Sequence, residues 1–399
     1  MAASSVATVG YIFNKKYSAE KMGEHTKRDH VLHSKLKMKS GTIAGEDFTY
    51  RVRSGNGQGV SGTVAASQTA QSNSKGVKFV TTPMLKYGNI LIDGPSMSRA
   101  KGNRAAEIGL VTLETNGILE EVGDDLAFDF YRAGNGNRGQ RASTPSGTII
   151  QLAEVDDARN FKEDMMLIAS ATIDGSSPRD SGATMLVTAV DEELGQVTVD
   201  AFVTGFANSD YLFRFGVPGT CVDGLEALVP LVTPSATLFR NVNRSVNPTR
   251  YAGYRINNPS VRPEVNLGLL AVKLHKGGKK ARIALVNPSV FWEISQRRDA
   301  KVLIDNGGGT AEIGFEYLII NTPGGNLKVY SDPDCPPGLN YVGSLETLSC
   351  HHLDKYIDVI RDDGKVANRH ATLDAIEMRT RTQSQSILTE PGTWGVCAN

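Results

Sequence analysis

The sequence predicts an α+β chain carrying a small β-barrel-like domain, and three observations predict it. A helical apolar stripe runs through residues 98–131. Short apolar strands broken by turns fill residues 146–216. Residues 41–92 hold two strand-like runs joined by a small, polar stretch. A long helical stretch followed by a run of strands is the α+β pattern.

Bulk composition bounds the reading. With 399 residues the chain has ample material for a buried core and for more than one domain. Forty-three Lys+Arg balance 43 Asp+Glu, so the formal net charge is zero. Nucleic-acid-binding domains usually show a basic balance, so any contact with nucleic acid must come from a local patch. Cys221, Cys335, Cys350 and Cys397 are scattered, with no C-x-x-C pair. That spacing suits neither a zinc site nor a disulfide framework, and free thiols in a reducing compartment are expected. The first residues lack the apolar core of a signal peptide, and no apolar run is long enough to span a membrane.

Residues 1–40 read as an arm. Lys15, Lys16, Lys27 and Arg28 are among its eight Lys/Arg, set against Glu20, Glu24 and Asp29. Apolar residues are sparse after Phe13, so the arm has little surface to bury by itself. It is expected to lie extended on a partner or to face a polyanion.

Residues 41–92 read as a two-stranded excursion. Phe48–Arg53 alternates at period two, and Gly76–Val80 does so more loosely. The stretch from Ser54 to Ser74 is small and polar, and a flexible middle is expected there. An isolated two-stranded ribbon is marginal in water, so another chain is expected to pack on it. Its cations Arg51, Arg53, Lys75 and Lys78 are candidates for contact with a neighbouring subunit or with DNA.

Ile108, Val111, Thr115, Ile118, Val122 and Leu126 recur at helical spacing. A helix from Asn103 to Tyr131 would be roughly 40 Å long at 1.5 Å per residue. Gly109, Gly117 and Gly123 lie inside it, each weakening it by up to about 1 kcal/mol relative to Ala. They are expected to mark close backbone approach or a bend. Glu120, Glu121, Asp124, Asp125 and Asp129 crowd its second half, against the helix dipole. Basic partners are therefore expected nearby, and Glu120, Glu121 and Asp124 join the candidate inter-subunit or DNA-facing residues.

The glycine-rich run from Arg132 to Arg141 breaks the helix. Thr148–Leu152, Met165–Ala169, Thr184–Val190 and Gln196–Val203 then read as strands of a small barrel or sandwich within 146–216. The rest is mixed. A short helix is expected over Glu264–Leu274, a strand from Ile283 ending at Pro288, and a helix over Ser289–Gln296. Two strands, Phe315–Ile320 and Leu327–Tyr330, flank a Pro-Gly-Gly turn. Residues 371–381 are compatible with strand or short helix.

No catalytic constellation emerges. Gly55–Gly59 lacks a following Gly-Lys-Ser/Thr and a helix, so it is no phosphate cradle. H-E-x-x-H and G-x-S-x-G are absent. His25, His30 and His33 sit in the arm and read as solvated side chains. The chain is expected to be no enzyme and to need no cofactor or metal.

The order of parts resembles the major capsid proteins of tailed bacteriophages, with the Hong Kong 97-type fold. Thr82-Pro-Met-Leu-Lys-Tyr-Gly is similar to the segment returning from that family's extended loop. Ser209-Asp-Tyr-Leu-Phe-Arg-Phe-Gly, Gly224-Leu-Glu-Ala-Leu-Val-Pro and Asn243-Arg-Ser-Val-Asn-Pro-Thr-Arg-Tyr-Ala-Gly resemble stretches of one subgroup. Asn287-Pro-Ser-Val-Phe-Trp-Glu and Val329-Tyr-Ser-Asp-Pro-Asp-Cys-Pro-Pro-Gly resemble a strand-to-helix turn and an axial-domain loop. The resemblance implies an N-terminal arm (1–40), an extended loop (41–92), and a spine helix with part of the peripheral domain (93–145). An inserted β domain (146–216) and the remaining peripheral and axial domains (217–399) would follow. It also implies pentamers and hexamers closing into an icosahedral head around double-stranded DNA, held by non-specific contact. The expected partners are further copies of the chain, a separate scaffolding protein, a portal and a decoration or cement protein, with no membrane. The expected location is the virion, after assembly in the host cytoplasm. No asparagine or glutamate matches the family's cross-linking pattern beside Lys75 and Lys78, so covalent cross-links are not expected. An encapsulin-like non-viral shell and a β-rich phage tail protein are the alternatives.

Overall fold

Local preference leaves residues 371–381 open between strand and helix, and a mixture of Thr, Gln and Ser runs on towards 388. Pairing decides the matter: Ala375–Leu388 forms a 14-residue strand. It takes strands on both sides, so its backbone groups are satisfied by neighbours far away in sequence. The computed structural model describes residues 30–40, 47–100, 104–297, 302–304, 317–353, 355–361 and 364–398, with backbone alone for 100, 104–108 and 302–304. Lys15, Lys16, Lys27, Arg28, His25, the Ile108 side chain and Phe315 lie outside the described part.

The elements follow in chain order. Helix α1 (Val31–Lys35) and β1 (Lys37–Ser40) open the described chain, then β2 (Phe48–Gly55), α2 (Val64–Thr69), β3 (Lys75–Thr81) and β4 (Met84–Asp93). Helices α3 (Gly94–Ala100) and α4 (Arg104–Asp129) come next. Six strands follow: β5 (Asn137–Ser143), β6 (Ile149–Leu152), β7 (Met166–Ser170), β8 (Thr184–Asp191), β9 (Gln196–Val199) and β10 (Tyr211–Arg214). The next stretch holds α5 (Leu225–Leu228), β11 (Leu238–Phe239), β12 (Val242–Asn243), α6 (Pro248–Ala252), β13 (Tyr254–Ile256), α7 (Pro263–Lys276), β14 (Ile283–Val286) and α8 (Pro288–Gln296). The last strands are β15 (Val302–Ile304), β16 (Leu318–Thr322), β17 (Gly325–Ser331), β18 (Leu339–Gly343), β19 (Leu348–His352), β20 (Asp358–Val359), β21 (Asn368–Arg369), β22 (Ala375–Leu388) and β23 (Gly395–Ala398).

Among the described residues three larger sheet bodies result, beside the two-stranded β2–β3 and β11–β12 pairs. One centres on β22, which pairs with β4, β19, β20 and β21, while β1 joins β19 in parallel. A second has seven strands in the order β13-β23-β18-β14-β17-β16-β15. The third is a closed barrel, β10-β5-β6-β9-β8-β7. Its interior is filled by alternate side chains, Ile150, Leu152, Leu167, Met185, Val187, Val197 and Leu212 among them, all essentially inaccessible. The barrel begins earlier than the boundary at 146. Its first strand comes from the Arg132–Arg141 run, where glycines hid a strand pattern.

Helix α4 spans 26 residues, about 39 Å at 1.5 Å per residue. Val111, Thr115, Leu119 and Leu126 are fully buried against the β22 sheet and the main core, with Ile118 and Val122 beside them. The buried Thr115 hydroxyl donates to the Val111 carbonyl at 2.6 Å, which removes the cost of an orphaned polar group. The expectation of close backbone approach fails at Gly109 and Gly117. A Cβ at either would meet open space. The expected flexible middle of the excursion contains a short helix, α2, capped by the Thr63 hydroxyl and burying no residue.

Trp394 anchors the centre of the main core, its indole N–H donating to the Ser344 carbonyl at 3.0 Å. Gly343 is required beneath it, since a Cβ there would lie 2.3 Å from the ring. All four cysteines are buried and free. Among the described residues no helix is long and apolar enough to cross a membrane.

Candidate assembly surfaces

Glu121, Asp124, Asp125 and Asp129 are spaced by three, four and one along α4, so all four lie on or near one helix face. The chain brings five basic side chains to them, each from a different segment. Lys86 of β4 reaches Asp125 at 2.5 Å and Asp129 at 2.6 Å, with both ends buried. Arg138 of β5 pairs with Asp125. Arg214 of β10 and Lys162 each reach Glu121 at 2.7 Å, and Lys162 also pairs with Asp124. His30 bridges Asp124 at 3.0 Å and Asp334 at 2.7 Å. Arg159 reaches Asp334 at 3.2 Å. Arm, sheet, barrel and the loop after β17 are thereby held to the spine helix at one place.

Each titration follows from this geometry. Burial alone would lower the His30 imidazole, but its hydrogen bonds to Asp124 and Asp334 outweigh burial and raise it to about 10. Burial opposes ionisation of Asp124, yet hydrogen bonds from His30 and Lys162 hold it down at about 2. Burial pulls the Arg138 guanidinium down to about 10, aided by the Arg214 charge. The basic partners expected near the acidic half of the helix are therefore present, and His30 is one of them. The reading of His30 and His33 as solvated is corrected. His33 is fully buried and its Nε2 lies 2.5 Å from the Tyr356 hydroxyl. Beside it the Leu32 N–H and the Tyr131 hydroxyl both donate to Asp332 Oδ2, at 2.8 and 2.7 Å. The Leu32 N–H bond, the His33–Tyr356 contact and the buried Leu32 and Leu36 side chains fix residues 30–40 on their own chain.

The second surface is the β2–β3 hairpin. Phe48, Tyr50 and Val52 face inward with Val77, Phe79 and Thr81, and Tyr50 stacks on Phe79 at 5.1 Å. The inner face rests on Val242 and Tyr251. Arg240 fastens the root: its guanidinium donates to the Tyr50 hydroxyl at 3.0 Å and to the Ser386 carbonyl at 2.8 Å, and pairs with Asp223 at 2.9 Å. Arg51, Arg53 and Lys78 share the outer face, and Arg51 lies directly opposite Lys78. Like charges in opposed positions destabilise a ribbon. Lys75, opposite Gly55, lies where the hairpin turns into its irregular end. A cleft of about 700 Å³ lies beside the hairpin from Arg51 to Gln58, lined by Arg51, Arg53, Arg250 and Lys279 with Glu390.

Of the candidates named from sequence, Arg51, Arg53, Lys75 and Lys78 thus fall together and are exposed. Glu121 and Asp124 belong to the buried-side network, while Glu120 is exposed on the helix. His30, Arg138, Lys162, Arg214, Arg240 and Asp334 were not named as site residues. Acid crowding on α4 was a signal for cations nearby, but no sequence pattern says which distant cations arrive.

No family model matches the sequence, and no curated protein matches it. Solved structures do. The chain is similar to a chain of the capsid asymmetric unit of cyanophage A-1(L), with TM-score 0.53 and 10% identity, over 96% of this chain and 93% of that one. It also matches the procapsid of satellite phage P4 (TM-score 0.46, 9% identity, 97% and 94% covered). A third match is the holo-SrpI encapsulin complex of Synechococcus elongatus (TM-score 0.43, 8% identity, 100% and 96% covered). The fold assignment rests on the first. Arm, projecting hairpin, spine helix and sheet bodies together make this the Hong Kong 97-type capsid fold.

Proposed function

We propose that the chain is the major capsid protein of a tailed bacteriophage: copies assemble as pentamers and hexamers into an icosahedral head enclosing double-stranded DNA. The observation that carries this reading is the likeness to a phage capsid chain over nearly the whole of both chains. The hairpin supports it, because α2 and its flanks bury nothing within their own chain. The role is structural, and the protein resides in the virion after assembly in the host cytoplasm. A separate scaffolding protein, a portal and a decoration protein complete the head, with 93–145 and 217–399 supplying the peripheral and axial domains.

The test is negative-stain microscopy of the chain expressed with its neighbouring genes, followed by nuclease treatment of the particles. Closed shells with protected DNA are expected. A stable small monomer overturns the reading, and shells without protected nucleic acid turn it towards an encapsulin-like compartment.

A further inference from the structure

Charge is partitioned along this neutral chain. Residues 48–92 contain five Lys/Arg and no Asp or Glu. Lys86 is neutralised by Asp125 and Asp129. Among the described residues Arg51, Arg53, Lys75 and Lys78 have no ion-pair partner. Residues 144–216 show the opposite bias, with twelve Asp/Glu against four Lys/Arg. Three of those four cations, Arg159, Lys162 and Arg214, pair with carboxylates outside the barrel. The barrel's own carboxylates are left largely uncompensated.

The excess gathers at one end of the barrel. Asp191, Glu192 and Glu193 form the β8–β9 turn, and Glu154 and Asp156 lie beside it; all five are exposed. Gly195 of the turn packs on Val155, and Asp156 and Glu192 line one shallow depression. Among the described residues no ion pair holds these five. Apolar side chains accompany both surfaces: Val155 and Leu194 at the barrel end, Val60 and Val64 on the hairpin, all exposed. A charged rim with apolar residues within it is the composition of a protein interface.

We infer that the outer face of the hairpin docks on the acidic barrel end of a second copy of this chain. Each surface is electrostatically unfavourable alone, and each supplies what the other lacks. This deepens the capsid reading and rests on it: every subunit offers one donor surface and one acceptor, the head-to-tail kind of contact from which rings are built.

Charge reversal tests the contact. Arg51→Glu with Lys78→Glu, and separately Glu192→Lys with Glu193→Lys, are each expected to reduce sedimenting particles about tenfold or more, since every 1.4 kcal/mol of contact energy is tenfold in affinity. All four substitutions in one chain are expected to restore assembly. Circular dichroism and melting identify any variant that fails by misfolding. Assembly of either reversal at the parent level overturns the inference, as does a folded four-fold variant that stays unassembled. A second measurement needs no variant. Particles made from mixed isotopically light and heavy chains are treated with a carbodiimide, which joins lysine to carboxylate as an amide. Hybrid light–heavy peptides joining Lys75 or Lys78 to Glu154, Asp156 or the 191–193 turn are expected. Their absence, with the two lysines coupled elsewhere, overturns the contact. Failure of the unaltered chain to form particles sinks the capsid reading, whereas the peptides still report the contact in smaller oligomers.

Discussion

His30 is held between two carboxylates, and that sets a pH range for the clamp. Its folded-state pKa of about 10 exceeds the 6.5 of an unfolded histidine. The folded form therefore binds the proton more tightly, and the stabilisation is complete below pH 6.5 and fades as pH rises towards 10. Asp124 works from the other side, its contribution present above its ordinary 3.8 and lost as pH falls towards 2. A melting-temperature profile from pH 6 to 10 should fall for the parent. His30→Gln should lie lower at pH 6 and run flatter across that range. Lys86 makes a sharper case, since its removal leaves the buried Asp129 carboxylate without a cation, while Asp125 keeps Arg138. Lys86→Met is expected to cost about 3–5 kcal/mol, read as a shift of the urea midpoint. The acid crowding on α4 was legible in the sequence and correctly called for cations. Their identity was not, because His30 lies 94 residues from Asp124 and meets it through the fold alone.

At the scale of elements, the spine helix was legible because its stripe repeats over many turns. The hairpin strands were legible because period two survives in Phe48–Arg53. Two things were not. The strand Asn137–Ser143 reads as a glycine-rich break, and its strand state comes from barrel closure. Ala375–Leu388 lacks a decisive period, because both its faces and both its edges are occupied. The spine glycines were legible as weak points, but the close approach anticipated for them is absent at Gly109 and Gly117. Gly109→Ala and Gly117→Ala should each raise the stability of the unassembled chain by about 0.5–1 kcal/mol, as expected for an exposed helix interior, read by thermal melting. Excision of residues 58–72, bridged by two glycines, should leave melting nearly unchanged, since α2 buries nothing. Closed particles should vanish, which microscopy would show.

At the scale of the molecule, the barrel closes by pairing its first strand with its last, β5 with β10. Its ends are therefore neighbours, and its core is its own. A fragment covering residues 133–219 is expected to fold alone with a cooperative melt, measured by circular dichroism; a broad, non-cooperative signal would count against it.

The β22 sheet behaves differently. Ten residues of β4, near position 90, pair with a strand some 290 positions later. During synthesis the barrel has all its strands as soon as residue 214 emerges from the ribosome. The spine helix packs on β4, whose own pairing edge must wait until 375–388 arrive. Ser386, which receives Arg240 at the hairpin root, arrives with them. The hairpin root thus gains its last partner only when nearly all of the polypeptide has been translated. Late completion of this one strand is expected to delay association with finished neighbours, and a translation pause before codon 375 should lengthen that delay.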